Sequence, residues 1–282
     1  MKKILVPTDF SNEAENALKV AAQLARKYDS EIYLMNLLEL PYDTASSDAG
    51  IKRGNEPLPE SLLFMRLAHQ RFQKLLNQDF LKGIKVTDTV EFREPFQGII
   101  DGVKKYDADL IVMGSAGASG MQEFFVGSNT EKVVRNADVP VLVIKDEVPI
   151  FEVKDFVFAS DFEKKGKETF KKALKVAERL GAKLHLLYIN TSSKFRTSNE
   201  INKKIAEFIQ DIPNDNYTTT VYNDHSIKEG ILNYTKNIDA ELMGIATNGR
   251  KGLAHLLNGS ISEDLVNHAK KPVLTFRLPK SK

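Results

Sequence analysis

Two stretches of this chain combine residue types suited to an anionic ligand. Gly114-Ser115-Ala116-Gly117, nine further residues and then Gly127-Ser128 follow the apolar run Leu110-Ile111-Val112-Met113 and precede a helical pattern. Glycines between a buried strand and a helix allow close backbone approach, and the free amides of a helix N-terminus favour negative charge. The Ser128 hydroxyl adds a donor, which makes a triphosphate a natural occupant. The same glycines also have a purely structural reading, as the turn from strand to helix. Pro7-Thr8-Asp9 closes a second apolar run, Ile4-Leu5-Val6. In a parallel sheet Asp9 would stand at the same edge as the glycine loop, where a carboxylate accepts hydrogen bonds from ribose or base. Helix capping beside Ser11 explains Asp9 equally well.

Self-similarity organises everything else. Asp107-Ala108-Asp109-Leu110 is matched by Asp239-Ala240-Glu241-Leu242, and Gly127-Ser128 by Gly259-Ser260, both at an offset of 132 residues. The same offset carries Gly98-Ile99 to Gly230-Ile231, Ala137 to Ala269 and Pro140-Val141-Leu142 to Pro272-Val273-Leu274. Near the start of each copy the offset is 152, carrying Asp9-Phe10 to Asp161-Phe162, Leu18 to Phe170, Ala21 to Ala173 and Ala25 to Ala177. The first copy therefore holds 20 extra residues, placed in or near the Ser-, Asp-, Gly- and Pro-rich stretch from Pro41 to Pro59, which reads as a loop before a helix.

Within each copy strands and helices alternate. Ile4-Leu5-Val6 and Val157-Phe158-Ala159 fit buried strands, and Leu18, Ala21, Ala22 and Ala25 form a helical stripe capped by Ser11 or by Asn12, the latter in a capping box with Glu15. Strands over 32–38, 86–92, 110–113 and 141–144 are predicted, with helices near 62–76, 96–105 and 128–137. The expectation is an α/β chain of two tandem doubly wound domains, 1–147 and 148–282, with the seam within Asp146 to Val153. Each is a five-stranded, mostly parallel sheet with helices on both faces and ligands at the carboxyl ends of the strands.

These motifs resemble the universal stress protein family, whose nucleotide-binding members show Gly-x2-Gly-x9-Gly-Ser/Thr before a helix and a Pro-Val strand. Val6-Pro7-Thr8-Asp9-Phe10-Ser11, the run Asp109 to Gly114 and Pro140-Val141-Leu142-Val143-Ile144 carry the likeness in the first copy. Ala159-Ser160-Asp161-Phe162, Ala246-x2-Gly249-x9-Gly259-Ser260 and Pro272-Val273-Leu274 carry it in the second. The resemblance covers nearly the whole chain. It implies ATP or another adenine nucleotide, with Mg²⁺ as an optional companion, held between the first strand, the second strand and the glycine loop. Carried across, the contacts are Pro7, Asp9, Leu37, Met113, Gly114, Gly117, Gly127 and Ser128 in the first copy. In the second they are Ala159, Asp161, Ile189, Ile245, Ala246, Gly249, Gly259 and Ser260, joined by Arg250, since family loops often carry a basic residue after the second glycine. Family domains often pair through the Pro-Val edge strand, which implies an intrachain pseudo-dimer through 141–144 and 273–276 and is compatible with a homodimer.

Departures from the pattern separate the two sites. Ala246 puts a methyl where the family has its first loop glycine, while Ala118 to Glu123 lacks the basic complement that Arg250-Lys251 supplies. The two sites are expected to differ in affinity. Arg93-Glu94 and His225 occupy the place of a family glycine before the third helix, where they would narrow the cleft.

Other chemistry finds little support. Forty Lys plus Arg against 38 Asp plus Glu, with no basic tract, does not indicate a nucleic-acid partner. There is no cysteine, so thiolate ligands and nucleophiles are excluded, and the five histidines show no metal-ligand spacing. Gly244-x4-Gly249-Arg250-Lys251 superficially resembles a P-loop but lacks the Lys-Ser/Thr ending, and the family alignment places Gly244 inside the fourth strand. Lys164, Lys165, Lys167, Lys171 and Lys172 read as the solvated start and outer face of a helix. No segment has the apolar length of a membrane span and the N-terminus lacks a signal-peptide core, which points to the cytoplasm. Binding is better supported than catalysis: no catalytic residue or metal site is assigned. A nucleotide-binding stress or regulatory protein leads, ahead of a slow ATPase or nucleotide-dependent transferase assisted by Asp9 or Asp161, and of a scaffold with degenerate sites.

Overall fold

The computed structural model describes residues 1–39, 60–115, 128–213, 216–247, 265–266 and 269–279. The expected loop between Pro41 and Pro59 lies outside the described residues. In chain order the first repeat contains β1 (Lys3–Pro7), α1 (Asn12–Tyr28), β2 (Glu31–Leu38), α2 (Glu60–Leu76), β3 (Val86–Phe92), α3 (Pro95–Tyr106), β4 (Leu110–Gly114), α4 (Ser128–Asn136) and β5 (Val141–Ile144). The second contains β6 (Asp155–Ala159), α5 (Lys167–Leu180), β7 (Lys183–Thr191), α6 (Ser198–Ile209), β8 (Tyr217–Asp224), α7 (Ile227–Asn237), β9 (Leu242–Thr247) and β10 (Val273–Arg277).

Compact units and sequence repeats divide the chain differently. One unit spans Met1–Gly114 and holds four parallel strands in the order β3-β2-β1-β4. The other spans Ser115–Lys282 and has the order β5-β10-β9-β6-β7-β8. Its strands are parallel except where β5 meets β10 antiparallel, with Leu142 opposite Leu274. β5 thus belongs to the first repeat by sequence and to the second unit in the fold, where it pairs with β10. In both units the chain adds two strands on one side of β1 or β6 and then crosses to the other side, so a topological switch point falls between β1 and β4 and between β6 and β9.

The repeated Asp-Ala-Asp/Glu-Leu motif is explained by how helices hand over to strands. Asp107 and Asp239 adopt left-handed backbone conformations at φ 52° and 49°. The next N–H, of Ala108 or Ala240, then returns to the carbonyl of Val103 or Thr235, a Schellman-type closure. The following acid clamps the start of a neighbouring strand: Asp109 accepts the amides of Lys2 and Lys3, and Glu241 those of Lys154 and Asp155. The leucine that ends the motif opens β4 or β9 and is buried.

Helix starts partly correct the sequence reading. Ser11, not Asn12, is the N-cap of α1, its hydroxyl accepting from the Ala14 amide at 3.2 Å. Glu15 then falls one position past the capping-box partner and lies 3.3 Å from Lys19 instead. The stripe Leu18, Ala21, Ala22 and Ala25 is buried as expected, and Ala14 and Ala17 extend it. Lys164 and Lys165 lie in a 3₁₀ turn ahead of α5, whose outer face pairs Lys171 with Glu168 and Lys167 with Asp211. Gly244 lies within β9 in register with Phe158 and Leu274, and a methyl there would come 2.6 Å from the Phe156 ring. It is a packing glycine beneath aromatic rings.

Lys145, just beyond β5, is half-buried, and burial holds its ammonium down at about 8 while Asp146 opposes the shift. An unfolded lysine titrates near about 10.4, so between about pH 8 and 10.4 the unfolded chain binds more protons and stability rises with pH. Below pH 8 the charged form costs stability. Lys145→Met is therefore expected to raise the denaturation midpoint at pH 7 and to lose the parent chain's additional gain between pH 8 and 10, measured by urea unfolding across that range.

Candidate functional site

At the carboxyl end of β1 the chain must leave the sheet and enter α1 within four residues. The Thr8 amide donates to the Met35 carbonyl at 2.8 Å, prolonging the parallel ladder by one bond. The Thr8 hydroxyl, nearly buried, accepts the Phe10 amide at 3.0 Å, and Phe10 turns left-handed at φ 63°. Asp9 Oδ1 then accepts both the amide and the hydroxyl of Ser11, at 2.9 and 2.5 Å. The second repeat builds the same turn with Ser160 for Thr8: its hydroxyl accepts the Phe162 amide at 3.0 Å, Phe162 sits at φ 56°, and Asp161 Oδ1 accepts the Glu163 amide at 3.0 Å.

Both aspartates are exposed, and among the described residues Oδ2 of each carries no hydrogen bond. One carboxylate oxygen shapes the turn while the other remains an available acceptor. The capping reading of Asp9 and the ligand reading are thus compatible, because they use different oxygens.

The expected contacts gather at the strand ends. Ala159 is directly in register with Ile245 across β6 and β9, and Ile189 lies two residues beyond Leu187, the partner of Ala159 on β7. In the first repeat Leu5 is in register with Ile111, so Pro7 and Met113 each lie two residues further along their strands. Pro7 pairs with Met35, and Leu37 is two residues on. Leu37 and Ile189 have matching packing roles: a methyl on Gly98 of α3 would meet the Leu37 side chain at 2.5 Å, and one on Gly230 of α7 would meet Ile189 at 2.7 Å. Those glycines let the helices lie directly against the strand ends. Gly117, Gly127, Gly249, Arg250, Gly259 and Ser260 lie outside the described residues; Ser128 is the first residue of α4.

Gly114 lies directly under a helix backbone. A methyl on Gly114 would stand 2.5 Å from the carbonyl carbon and oxygen of Glu13 and 2.8 Å from the Ala14 nitrogen, so α1 passes over the end of β4 in backbone contact. In the second repeat the position of Ala14 is taken by Gly166, at the end of the 3₁₀ turn that precedes α5. Arg93 and Glu94 are engaged by α3: Arg93 Nη1 donates to Asp101 at 2.8 Å, and Glu94 caps the helix by accepting the Gln97 amide.

Sequence reasoning missed two features. The left-handed Phe10 and Phe162 sat within the aligned Asp-Phe pairs, but a phenylalanine ordinarily signals core packing, not a turn. Asn36, nearly buried in β2, donates to the Thr8 carbonyl at 2.7 Å and braces the strand end. Its one visible signal was a lone amide in an apolar strand. His185, away from the strand ends, bonds Asp155 at 2.6 Å and Thr218 at 3.3 Å. Among the described residues no group of three His, Cys, Asp or Glu side chains could hold a metal ion.

A tandem pair of doubly wound α/β repeats, each with an aspartate turn at its switch point, is the class that the fold and the site define. The profile of the universal stress protein family matches residues 1–145 and again 152–277, and the chain belongs to that family. Two universal stress proteins of Methanocaldococcus jannaschii, MJ0531 and MJ0577, are each 31% identical over 51% of this chain, covering 82% and 94% of their own lengths. The fold is similar over both repeats to a universal stress protein from Archaeoglobus fulgidus, with a TM-score of 0.74, 20% identity and 98% of each chain covered.

Gly114→Ala is expected to destabilise the chain by about 1–3 kcal/mol, because the added methyl meets helix backbone that cannot rotate away. Ala246→Gly should cost only about 0.5–1 kcal/mol, the backbone entropy of glycine. Urea denaturation of the two variants checks the contrast.

Proposed function

We propose that the chain binds an adenine nucleotide at the strand ends of both repeats, and that binding serves a stress or regulatory role without rapid turnover. The observation that carries this reading is the paired turn at Asp9 and Asp161, where one carboxylate oxygen is consumed locally and the other is left exposed at a switch point. An acceptor there suits ribose hydroxyls or an adenine amine. Membership of the universal stress protein family supports the assignment, as do the Gly-x2-Gly-x9-Gly-Ser spacing of the first repeat and its Ala-initiated counterpart in the second.

In this reading Pro7, Leu37 and Met113, with Ala159, Ile189 and Ile245, supply apolar walls for a base. The two glycine-rich segments, 114–128 and 246–260, receive the phosphates. A companion Mg²⁺ would rely on phosphate oxygens, since the described residues offer it no three-carboxylate cluster. Neither loop carries a P-loop lysine, so binding is favoured over fast phosphoryl transfer. The repeats are taken as domains 1–147 and 148–282 joined as a pseudo-dimer, in the cytoplasm; among the described residues no helix is long and apolar enough to cross a membrane.

A ligand bound only by the folded state stabilises it by about 2.7 kcal/mol at a hundredfold excess over the dissociation constant. Thermal-shift titrations with ATP, ADP and AMP are therefore expected to raise the melting temperature. Asp9→Ala and Asp161→Ala should each remove part of that shift and the double variant nearly all of it. An unresponsive parent chain that also releases no nucleotide on denaturation would favour the scaffold reading instead.

A further inference from the structure

β8 is the last strand on one side of the second unit's sheet, next to β7. The Leu184 amide donates to the Asn216 carbonyl at 3.1 Å, while Leu184 itself is in register with Tyr217. A parallel ladder of that phase turns the amides and carbonyls of the even-numbered residues of β8 toward β7. The backbone groups of Tyr217, Thr219, Val221 and Asn223 therefore point away from the sheet, and among the described residues no strand receives them. The side chains of these four residues share one face, where Thr219, Val221 and Asn223 are exposed. The opposite face is occupied by α7: the Thr220 and Tyr234 hydroxyls lie 3.2 Å apart, and the Asn237 amide donates to the Tyr222 hydroxyl at 3.1 Å.

An open edge is ordinarily blunted by a charge, a proline or a bulge. From Tyr217 to Asn223 the strand reads Tyr-Thr-Thr-Thr-Val-Tyr-Asn, with no charge and no proline, and it runs in unbroken register with β7. Its β-branched and aromatic residues are those that favour an extended, paired backbone. The contrast is with β3, an edge strand of the first unit, which carries Asp88 and Glu91.

We propose that β8 is a homodimer interface, in which two copies of the chain pair their β8 strands antiparallel about a twofold axis at Thr220. Thr219 then faces Val221 of the partner subunit, and Tyr217 faces Asn223 of the partner subunit. Each pair exchanges two backbone hydrogen bonds and occurs twice by symmetry, so every outward amide and carbonyl of the four residues is used. A shift of one residue would set outward groups against inward ones, and a shift of two would carry the facing position of Asn223 or Tyr217 off the strand. On the exposed face the pairing makes two β-branched contacts between Thr219 and Val221 of the partner subunit, and Asp224 falls opposite Asn216 of the partner subunit, so no like charges on the strands are directly opposed. This fit of the strand to itself is what selects a second copy over a foreign extended segment. The twofold consumes both edges and closes at two copies. Seven residues span only about 23 Å, which places the contact among small interfaces and makes the dimer weak and concentration-dependent. The inference is independent of the nucleotide reading.

The test is sedimentation equilibrium of the full chain between about 5 and 500 µM, where mass action should carry the parent from one chain mass toward two. Val221→Lys, at an exposed position, is expected to weaken association at least roughly tenfold, since both symmetric Thr219 contacts are lost. Thr219→Pro removes an outward donor without touching the β7 ladder and should have the same effect, circular dichroism confirming that each variant is folded. Thr87→Lys on β3 should associate as the parent does. The chain has no cysteine, so register can be read by disulfide formation. An oxidised mixture of Thr219→Cys and Val221→Cys chains should cross-link, because the pair stands about 5.5 Å apart between Cα atoms, whereas either variant alone meets itself only diagonally, at about 7–8 Å, and should cross-link poorly. A parent that stays monomeric throughout would overturn the inference, including one that instead takes up an extended peptide at this edge. Folded Val221→Lys that dimerises like the parent would overturn it by placing the interface elsewhere, and equal cross-linking in the mixture and in the single variants would overturn the pairing about Thr220.

Discussion

Each β-strand that opens a repeat ends in a turn where a hydroxyl, nearly buried at Thr8 and half-buried at Ser160, catches the amide of a left-handed phenylalanine. Such a backbone conformation costs a bulky residue on the order of 1–3 kcal/mol and persists only where the surroundings over-determine it. Here the surroundings are aromatic. Phe10 packs edge-on against Phe72 of α2 at 5.0 Å with the Arg71 guanidinium over its ring, and Phe162 meets Phe208 of α6 at 5.2 Å and Tyr188 at 5.9 Å. The second helix of each repeat thereby holds the turn, and the turn holds the aspartate. Without it Asp9 and Asp161 would not stand with one oxygen bound and one exposed, and the first helix of each repeat would not begin where it does.

The two repeats differ in the residues around a shared backbone path. Gly114 lets the backbone of α1 cross the end of β4 directly, whereas the second repeat carries Ala246 at the equivalent position. Asp9 receives two donors from Ser11, but Asp161 receives one, because a glutamate follows Phe162 and its carboxylate is drawn instead to Lys204 at 2.5 Å. That contact holds the Glu163 carboxyl below its usual range. Duplication preserved the backbone geometry and let side chains diverge, so the two aspartate turns are not equivalent.

Much of this was legible in the residues alone. The alternation of apolar runs and helical stripes placed the strands of the first repeat, and its helices α2 to α4, within two residues, because period and burial are local properties of the chain. The repeat offsets located the aspartate turns and the edge strands. Ser11 against Asn12 as the helix cap was not decidable from types, since both residues cap well; the outcome depended on the left-handed residue before them, which rotates Ser11 into place.

Sequence by itself determined the α/β class, the duplication and the residue types gathered at the strand ends, since these follow from short-range pattern and internal alignment. Tertiary structure alone decided that Arg277 and Thr247 secure α4, and that Gly114 is required by a helix backbone 100 residues earlier in the chain. These contacts join segments far apart in sequence. Which carbonyl a buried donor reaches is set by how the sheet edge and helices pack, and no local pattern encodes it.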